Sequence, residues 1–222
     1  MSADKTRRPS GRIALLAGAT GLVGRECLRL LSSDGDVAEV RALVRRPLAP
    51  ESAGPHVREC RTDFDRLREH PEWFEVDWAF CALGTTIRKA GSREAFRRVD
   101  FEYPLAIAKL ARERGASHFL LVSAQGANAR SSVFYYRVKG ELEDAVRVLG
   151  YPSVTIARPS LLLGDRQEWR LGEEVAKRLA WLLPSSRRAV HASQLASALV
   201  RAAHASKAGV EIVENAELRA SV

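Results

Sequence analysis

IALLA at residues 13–17 runs straight into GATGLVG at residues 18–24. An apolar run of strand length, three spaced glycines and a helical pattern read as strand, tight turn and helix. In that arrangement Gly18 permits the turn, Gly21 lets backbone approach a phosphate with no Cβ in the way, and Gly24 lets the helix pack closely on the strand. The N–H groups of the helix's first turn then face an anion. A loop that only needs positive φ would use the same glycines, so the residues downstream decide the reading.

Downstream, strands alternate with helical segments, the pattern of a parallel sheet with helices on both faces. Strands are expected at about 12–17, 39–44, 57–61, 76–83, 118–123 and 153–157, with a possible last one at 210–213. Helices are expected at about 22–33, 66–69, 92–114, 133–149, 173–183 and 193–205. Gly115 and Gly150 follow two of them, where a C-terminal glycine belongs. No internal repeat or low-complexity linker interrupts the pattern, so one domain carries everything.

The second strand ends in Leu43-Val44-Arg45-Arg46. An NAD site would place Asp or Glu about 20 residues after the glycine turn, on the ribose 2′-hydroxyl. Arg45 and Arg46 there favour a 2′-phosphate, which a guanidinium grips with paired hydrogen bonds, and hence NADP(H). The same pair could instead cap an exposed strand end. Asp63 could accept from the adenine amino group or cap the next helix. After the fourth strand, Leu83, Gly84 and Thr85 should run along the cofactor's middle, outside the carboxyl ends of the strands; an ordinary turn is the alternative.

Tyr135 and Lys139 stand four apart and so share a helix face. A phenol of pKa near 10 is a poor acid–base catalyst until a nearby ammonium stabilises its phenolate. Lys139 is expected to supply that charge and to hold the nicotinamide ribose. Tyr136 has Gly140 at its i+4 position and no such partner. Ser123, at the end of the fifth strand, is the natural third member, donating to a substrate carbonyl oxygen as hydride arrives; the other reading is an ordinary strand-end serine.

At 222 residues, 46% of them hydrophobic, the chain is long enough for one well-buried domain. No apolar run approaches the roughly 18 residues that cross a bilayer, and the expected location is cytoplasmic. Cys27, Cys60 and Cys81 are odd in number and widely spaced, which suggests buried, reduced thiols. Neither they nor the five histidines have metal-site spacing, so no metal is expected. The net charge of +8 is drawn partly from the leader, Met1 to Ser10, read as disordered. Basic residues elsewhere are interleaved with acidic ones rather than set in a stripe with aromatics, which argues against nucleic acid and leaves an anionic ligand as the simpler partner.

The ordered set GATGLVG, LVRRP, CALGTT, YYRVK and ARPSLLLGDRQEWR resembles the atypical short-chain dehydrogenase/reductases, specifically the Tat-interacting-protein-like NAD(P)-binding oxidoreductases and their bacterial relatives. The resemblance implies an α/β fold: a doubly wound parallel sheet (Rossmann) of strand order 3-2-1-4-5-6 with a small C-terminal lobe. Residues 1–10 would be the leader and 11–222 the single domain, with 159–205 forming the substrate lobe. It places Thr20, Gly21, Leu22 and Val23 with Arg45 and Arg46 at the adenosine half, Leu83 and Gly84 at the middle, and Tyr135 and Lys139 at the catalytic end. It also turns Leu162 and Arg170 toward the cofactor, Arg170 closing over phosphate unless it is only a solvated helix-start arginine.

Two departures stand out. Ser123-Ala124 replaces the serine pair frequent in the family, so Ser131 or Ser132 could substitute. Gln194 replaces a frequent aspartate, which makes His191 structural rather than catalytic. The expectation is an NADP(H)-dependent oxidoreductase acting on a small carbonyl or alcohol, without metal, membrane or nucleic-acid partner, as a monomer or homodimer. The alternative is a protein that binds NADPH and reports it without turnover.

Overall fold

In the computed structural model, residues 10–52, 54–163 and 189–220 are described. The strands are β1 Arg12–Ala17, β2 Val37–Val44, β3 Val57–Arg61, β4 Trp78–Cys81, β5 His118–Val122, β6 Ser153–Arg158, β7 Leu162–Leu163, β8 Val190–His191 and β9 Gly209–Glu214. The helices are α1 Leu22–Ser32, α2 Ile87–Ala90, α3 Arg93–Arg97, α4 Tyr103–Glu113, α5 Phe134–Arg147, α6 Ala192–Ala205 and α7 Asn215–Ala220. Seven strands form a parallel sheet in the order β3-β2-β1-β4-β5-β6-β9. The expected six-strand order is present, and β9 adds a seventh strand beyond β6.

The apolar runs are strands because both faces of a parallel sheet are covered. Along β1, Ala14 and Leu16 face a layer holding Cys27, Leu28 and Leu31 of α1 and Leu195 and Leu199 of α6. Ile13, Leu15 and Ala17 face the opposite layer, with Ile107 and Ala111 of α4 and Leu142 and Val146 of α5. Period-two alternation in one strand thus feeds two cores. A short parallel pair, β7 with β8, stands apart from the main sheet and was not legible in the sequence.

Three other features differ from the sequence reading. The strand expected at 76–83 is Trp78–Cys81 only, because Leu83 to Thr85 turn out over the sheet's end. The helix at Phe64–Glu69 is a 3-10 helix. The long helix expected at 92–114 is interrupted by a π turn at Arg98–Glu102, where the N–H of Tyr103 bonds to the Arg98 carbonyl five residues back. Pro104 explains it: proline cannot donate to the Asp100 carbonyl four residues earlier and its ring would press on it, so the helix widens by one residue. The segment expected as a helix at 173–183 lies outside the described residues.

The turn after β1 is unusually tight. Gly18 has φ +88°, and a Cβ there would lie 2.6 Å from the Ala82 carbonyl oxygen. A Cβ on Gly24 would lie 1.9 Å from the Gly18 carbonyl oxygen. No helix among the described residues is long and apolar enough to cross a membrane. The three cysteines are free and buried; burial pushes Cys27 up to about 12 and Cys60 and Cys81 up to about 11.

Two outcomes follow from this packing. Gly24→Ala should cost about 1–3 kcal/mol of stability and lower Tm by calorimetry; an unchanged Tm would contradict the contact with Gly18. The cysteines should resist an aromatic disulfide reagent at mildly alkaline pH until the protein is unfolded in denaturant, because thiolate and access are both lacking. Rapid native-state labelling of any of the three would contradict their burial.

Candidate functional site

The order of the sheet reverses at β1, which is flanked by β2 and β4. In open α/β sheets the ligand crevice lies at such a point, outside the carboxyl ends of the strands. A cleft of about 260 Å³ is found there. Gly21, Leu22 and Val23 at the start of α1 form one wall and Leu83, Gly84 and Thr85 the next. Ser123, Tyr135, Lys139 and Leu162 close the far end. Segments up to 141 residues apart in the chain therefore meet in one space.

The α1 end suits an anion. Its N-cap, Gly21, offers no side chain to the first-turn N–H groups, so these donors and the positive end of the helix dipole are left for a ligand. Gly18 and Gly24 are not part of the cleft wall; they shape the turn behind it. Arg45 and Arg46 lie exposed just past the end of β2, and among the described residues neither makes a hydrogen bond or ion pair. The donor set fits a dinucleotide: backbone N–H groups for pyrophosphate, then two exposed guanidiniums just past the end of the adjacent strand.

The far end is organised by a residue that the sequence motifs did not single out. Asp100, in the π turn, is fully buried; its Oδ1 lies 2.8 Å from Lys139 Nζ, and the Lys139 side chain is only 4% exposed. Its Oδ2 accepts from the Thr85 N–H at 2.9 Å. A Cβ placed on Gly84 would be 3.5 Å from Asp100 Oδ1 and 3.8 Å from Lys139 Nζ, so the pair lies directly beneath the turn. Burial alone would pull Lys139 down, but the Asp100 carboxylate outweighs it and the ammonium is held above its ordinary range. Removing one partner of such a pair costs about 3–5 kcal/mol, because the other is left as an uncompensated buried charge.

This geometry corrects the expectation for Tyr135. Its phenol is pushed above the ordinary tyrosine range, chiefly by burial; Lys139 pulls it down, while Asp100 and Tyr136 push it up. The ammonium is where the spacing placed it, yet its charge is shared with a carboxylate. Tyr135 packs against Phe96 and meets Tyr136 edge-on, and Tyr136 itself is exposed.

Ser123 also needs correction. Its hydroxyl donates to Glu143 Oε1 at 2.5 Å, so its proton is committed and toward the cleft it is an acceptor, not the expected donor. Glu143, 1% exposed, is held in turn by Arg158 through Nη2 at 2.6 Å and Nε at 3.0 Å. Glu143 lies four residues past Lys139, one helical turn further along the same face, and that spacing could have revealed it. Ser131 accepts from the Val133 N–H at the start of α5 rather than lining the cleft, and Ser132 is exposed and also outside it.

Asp63 is exposed and caps the 3-10 helix by accepting from the Asp65 N–H at 3.1 Å, the structural one of its two readings. Thr20 is exposed beside the turn without lining the cleft. Arg170 lies outside the described residues. His191 precedes α6, its N–H donating to Gln194 Oε1, a structural arrangement. Among the described residues one His/Asp group brings possible ligand atoms within 4.8 Å of one another: Asp34, Asp36 and His204. It lies at the opposite, amino-terminal end of the strands, where His204 Nε2 bonds Asp34 at 2.7 Å and ties α6 to the turn before β2.

A family model described as NAD(P)H-binding matches residues 18–206. The chain is 40% identical over 173 residues to Protein HTATIP2 of Rattus norvegicus, covering 77% of this chain and 71% of that protein. It is 35% identical over 173 residues to the mitochondrial protein FMP52 of Candida albicans, covering 73% and 72%. Among solved structures, the Bordetella bronchiseptica enzyme WbmH in complex with NAD+ aligns with a TM-score of 0.72 at 14% identity, over 91% of this chain and 75% of that one. DesIV, a dTDP-glucose 4,6-dehydratase from Streptomyces venezuelae with NAD bound, aligns with a TM-score of 0.70 at 18% identity, over 90% and 74%. At those identities the solved structures show the fold alone. The family model and the rat and fungal relatives show more: this chain belongs to the NAD(P)H-binding family, as an HTATIP2-like atypical short-chain dehydrogenase/reductase.

Proposed function

We propose that the protein is an NADP(H)-dependent oxidoreductase that transfers hydride between the nicotinamide and the carbon of a small carbonyl or alcohol. The observation that carries this reading is the single cleft in which the uncapped start of α1, the Leu83–Thr85 turn, Tyr135 and Lys139 meet. Gly21 to Val23 would hold the pyrophosphate through backbone N–H groups. Arg45 and Arg46 would hold the 2′-phosphate, the reason to prefer NADP(H) to NAD(H). When bound, the nicotinamide supplies or accepts the hydride.

The chain's own residues do the rest. Tyr135 holds a proton at its phenolic oxygen and gives it to the substrate oxygen, and Lys139 orients the ribose with the ammonium that Asp100 keeps charged. Ser123, with its proton donated to Glu143, presents lone pairs and so suits a hydroxyl on the substrate or on Tyr135. Residues 11–222 would act as one domain behind the 1–10 leader, with the 159–205 segment as substrate lobe; Leu162 is its described contribution to the cleft. A cytoplasmic setting and a monomer or homodimer remain part of this reading.

A second reading, NADPH binding without turnover, draws on Ser123, whose committed proton removes one donor from the usual catalytic set. Two experiments separate them. In fluorescence titrations NADPH should bind more tightly than NADH, and Arg45→Ala should weaken NADPH about tenfold, the value of one charge-assisted hydrogen bond or a little less, while leaving NADH unchanged. Equal affinities in the wild type would remove the phosphate clamp. In a carbonyl screen Tyr135→Phe should cut turnover by about 10²–10⁴-fold with NADPH affinity retained; undiminished turnover would remove Tyr135 as the acid.

A further inference from the structure

The Lys139–Asp100 pair lies where short-chain chemistry is expected to leave a lysine unbalanced. Nothing in the spacing of Tyr135 and Lys139 calls for a carboxylate, yet one is fully buried against the ammonium at 2.8 Å. The groups facing the Tyr135 phenol come from several elements. Lys139 and Tyr136 belong to α5 and Asp100 to the π turn. Cys81 at the end of β4 acts on Lys139, and Lys89 of α2 lines the same cleft but is exposed to solvent. Among these, Asp100 is the single carboxylate, and it is dry.

We propose that Asp100 is a positioning residue that cancels the charge of Lys139 and so keeps Tyr135 a proton donor at neutral pH, setting the site for reduction of a carbonyl rather than oxidation of an alcohol. As the carbonyl carbon accepts a hydride from a reduced nicotinamide, its C–O π electrons move to oxygen and the Tyr135 proton passes to that oxygen. The alcohol leaves, and the phenolate regains a proton from water. The same carboxylate accepts from the Thr85 N–H, so one anion sets both the acid and the turn expected to face the cofactor. Burial of the phenol acts in the same direction.

The inference rests on the reading of Tyr135 as the acid, but its test needs neither cofactor nor substrate, so the two can fail separately. The Tyr135 phenol is titrated by near-ultraviolet difference absorbance, its signal isolated by subtracting the matching Tyr135→Phe protein. Wild-type Tyr135 should ionise above the ordinary range. In Asp100→Asn the midpoint should fall by about one to three pH units, the usual effect of a close, uncompensated opposite charge. A midpoint that stays or rises in the folded variant overturns the proposal.

Should Asp100→Asn not fold, the neutral pair Asp100→Asn with Lys139→Gln, which leaves no lone buried charge, gives the same decision. Its Tyr135 midpoint should match wild type, whereas Lys139→Gln alone should raise it. A double variant that titrates away from wild type overturns the proposal. A purely structural role for Asp100 would change Tm in these proteins without moving the phenol in this pattern.

Discussion

Gly18 crosses the end of β4 so closely that a side-chain carbon at that position would lie 2.6 Å from the Ala82 carbonyl oxygen. The approach constrains everything at the carboxyl end of the sheet. It brings the start of α1 beside the Leu83–Thr85 turn, and Gly24 lets the helix settle onto the Gly18 carbonyl. With a Cβ at either position the helix would be pushed from the strand, and the two walls of the cleft would separate. The backbone donors for an anion and the strip along which a dinucleotide would lie are thus products of one tight contact.

The charges of the far end depend on that contact too. The Thr85 N–H reaches Asp100, and Asp100 reaches Lys139, so the turn over the sheet and α5 are joined by a buried carboxylate. Its place in the π turn is itself caused by Pro104, which a regular helix would not accommodate at that point. Local backbone chemistry, a widened helix and a paired ammonium are successive links in one chain of causes. A separate network, Ser123 to Glu143 to Arg158, fixes the Ser123 hydroxyl from the next turn of α5.

Much of the fold was legible because strands buried on both faces must be largely apolar, as IALLA at 13–17 and FLLV at 119–122 are. The Tyr135–Lys139 pair was legible for a similar reason: four residues on a helix place both side chains on one face. The partners of those residues were not. Asp100 lies 39 positions before Lys139 and only the folded chain brings them into contact; Glu143 is on the Lys139 face one turn on, but its bond to Ser123, 20 positions earlier, is not a local feature. Hence the meeting of Tyr135 and Lys139 in one cleft was readable, whereas the direction of the Ser123 hydrogen bond and the balance of charge at Tyr135 were not. The π turn escaped notice because the apolar period of residues 92–114 continues through it, and the β7–β8 pair is too short to show alternation.

Hydrogen–deuterium exchange in the presence and absence of NADPH tests the central claim, that the cofactor lies across the carboxyl ends of β1 and β4. Bound NADPH should slow exchange at residues 20–25, at 83–86 and just past the end of β2 around Arg45, and leave Asp34 to Asp36 and the end of α6 at His204 unchanged. Protection confined to that opposite end, or none at saturating NADPH, would contradict it.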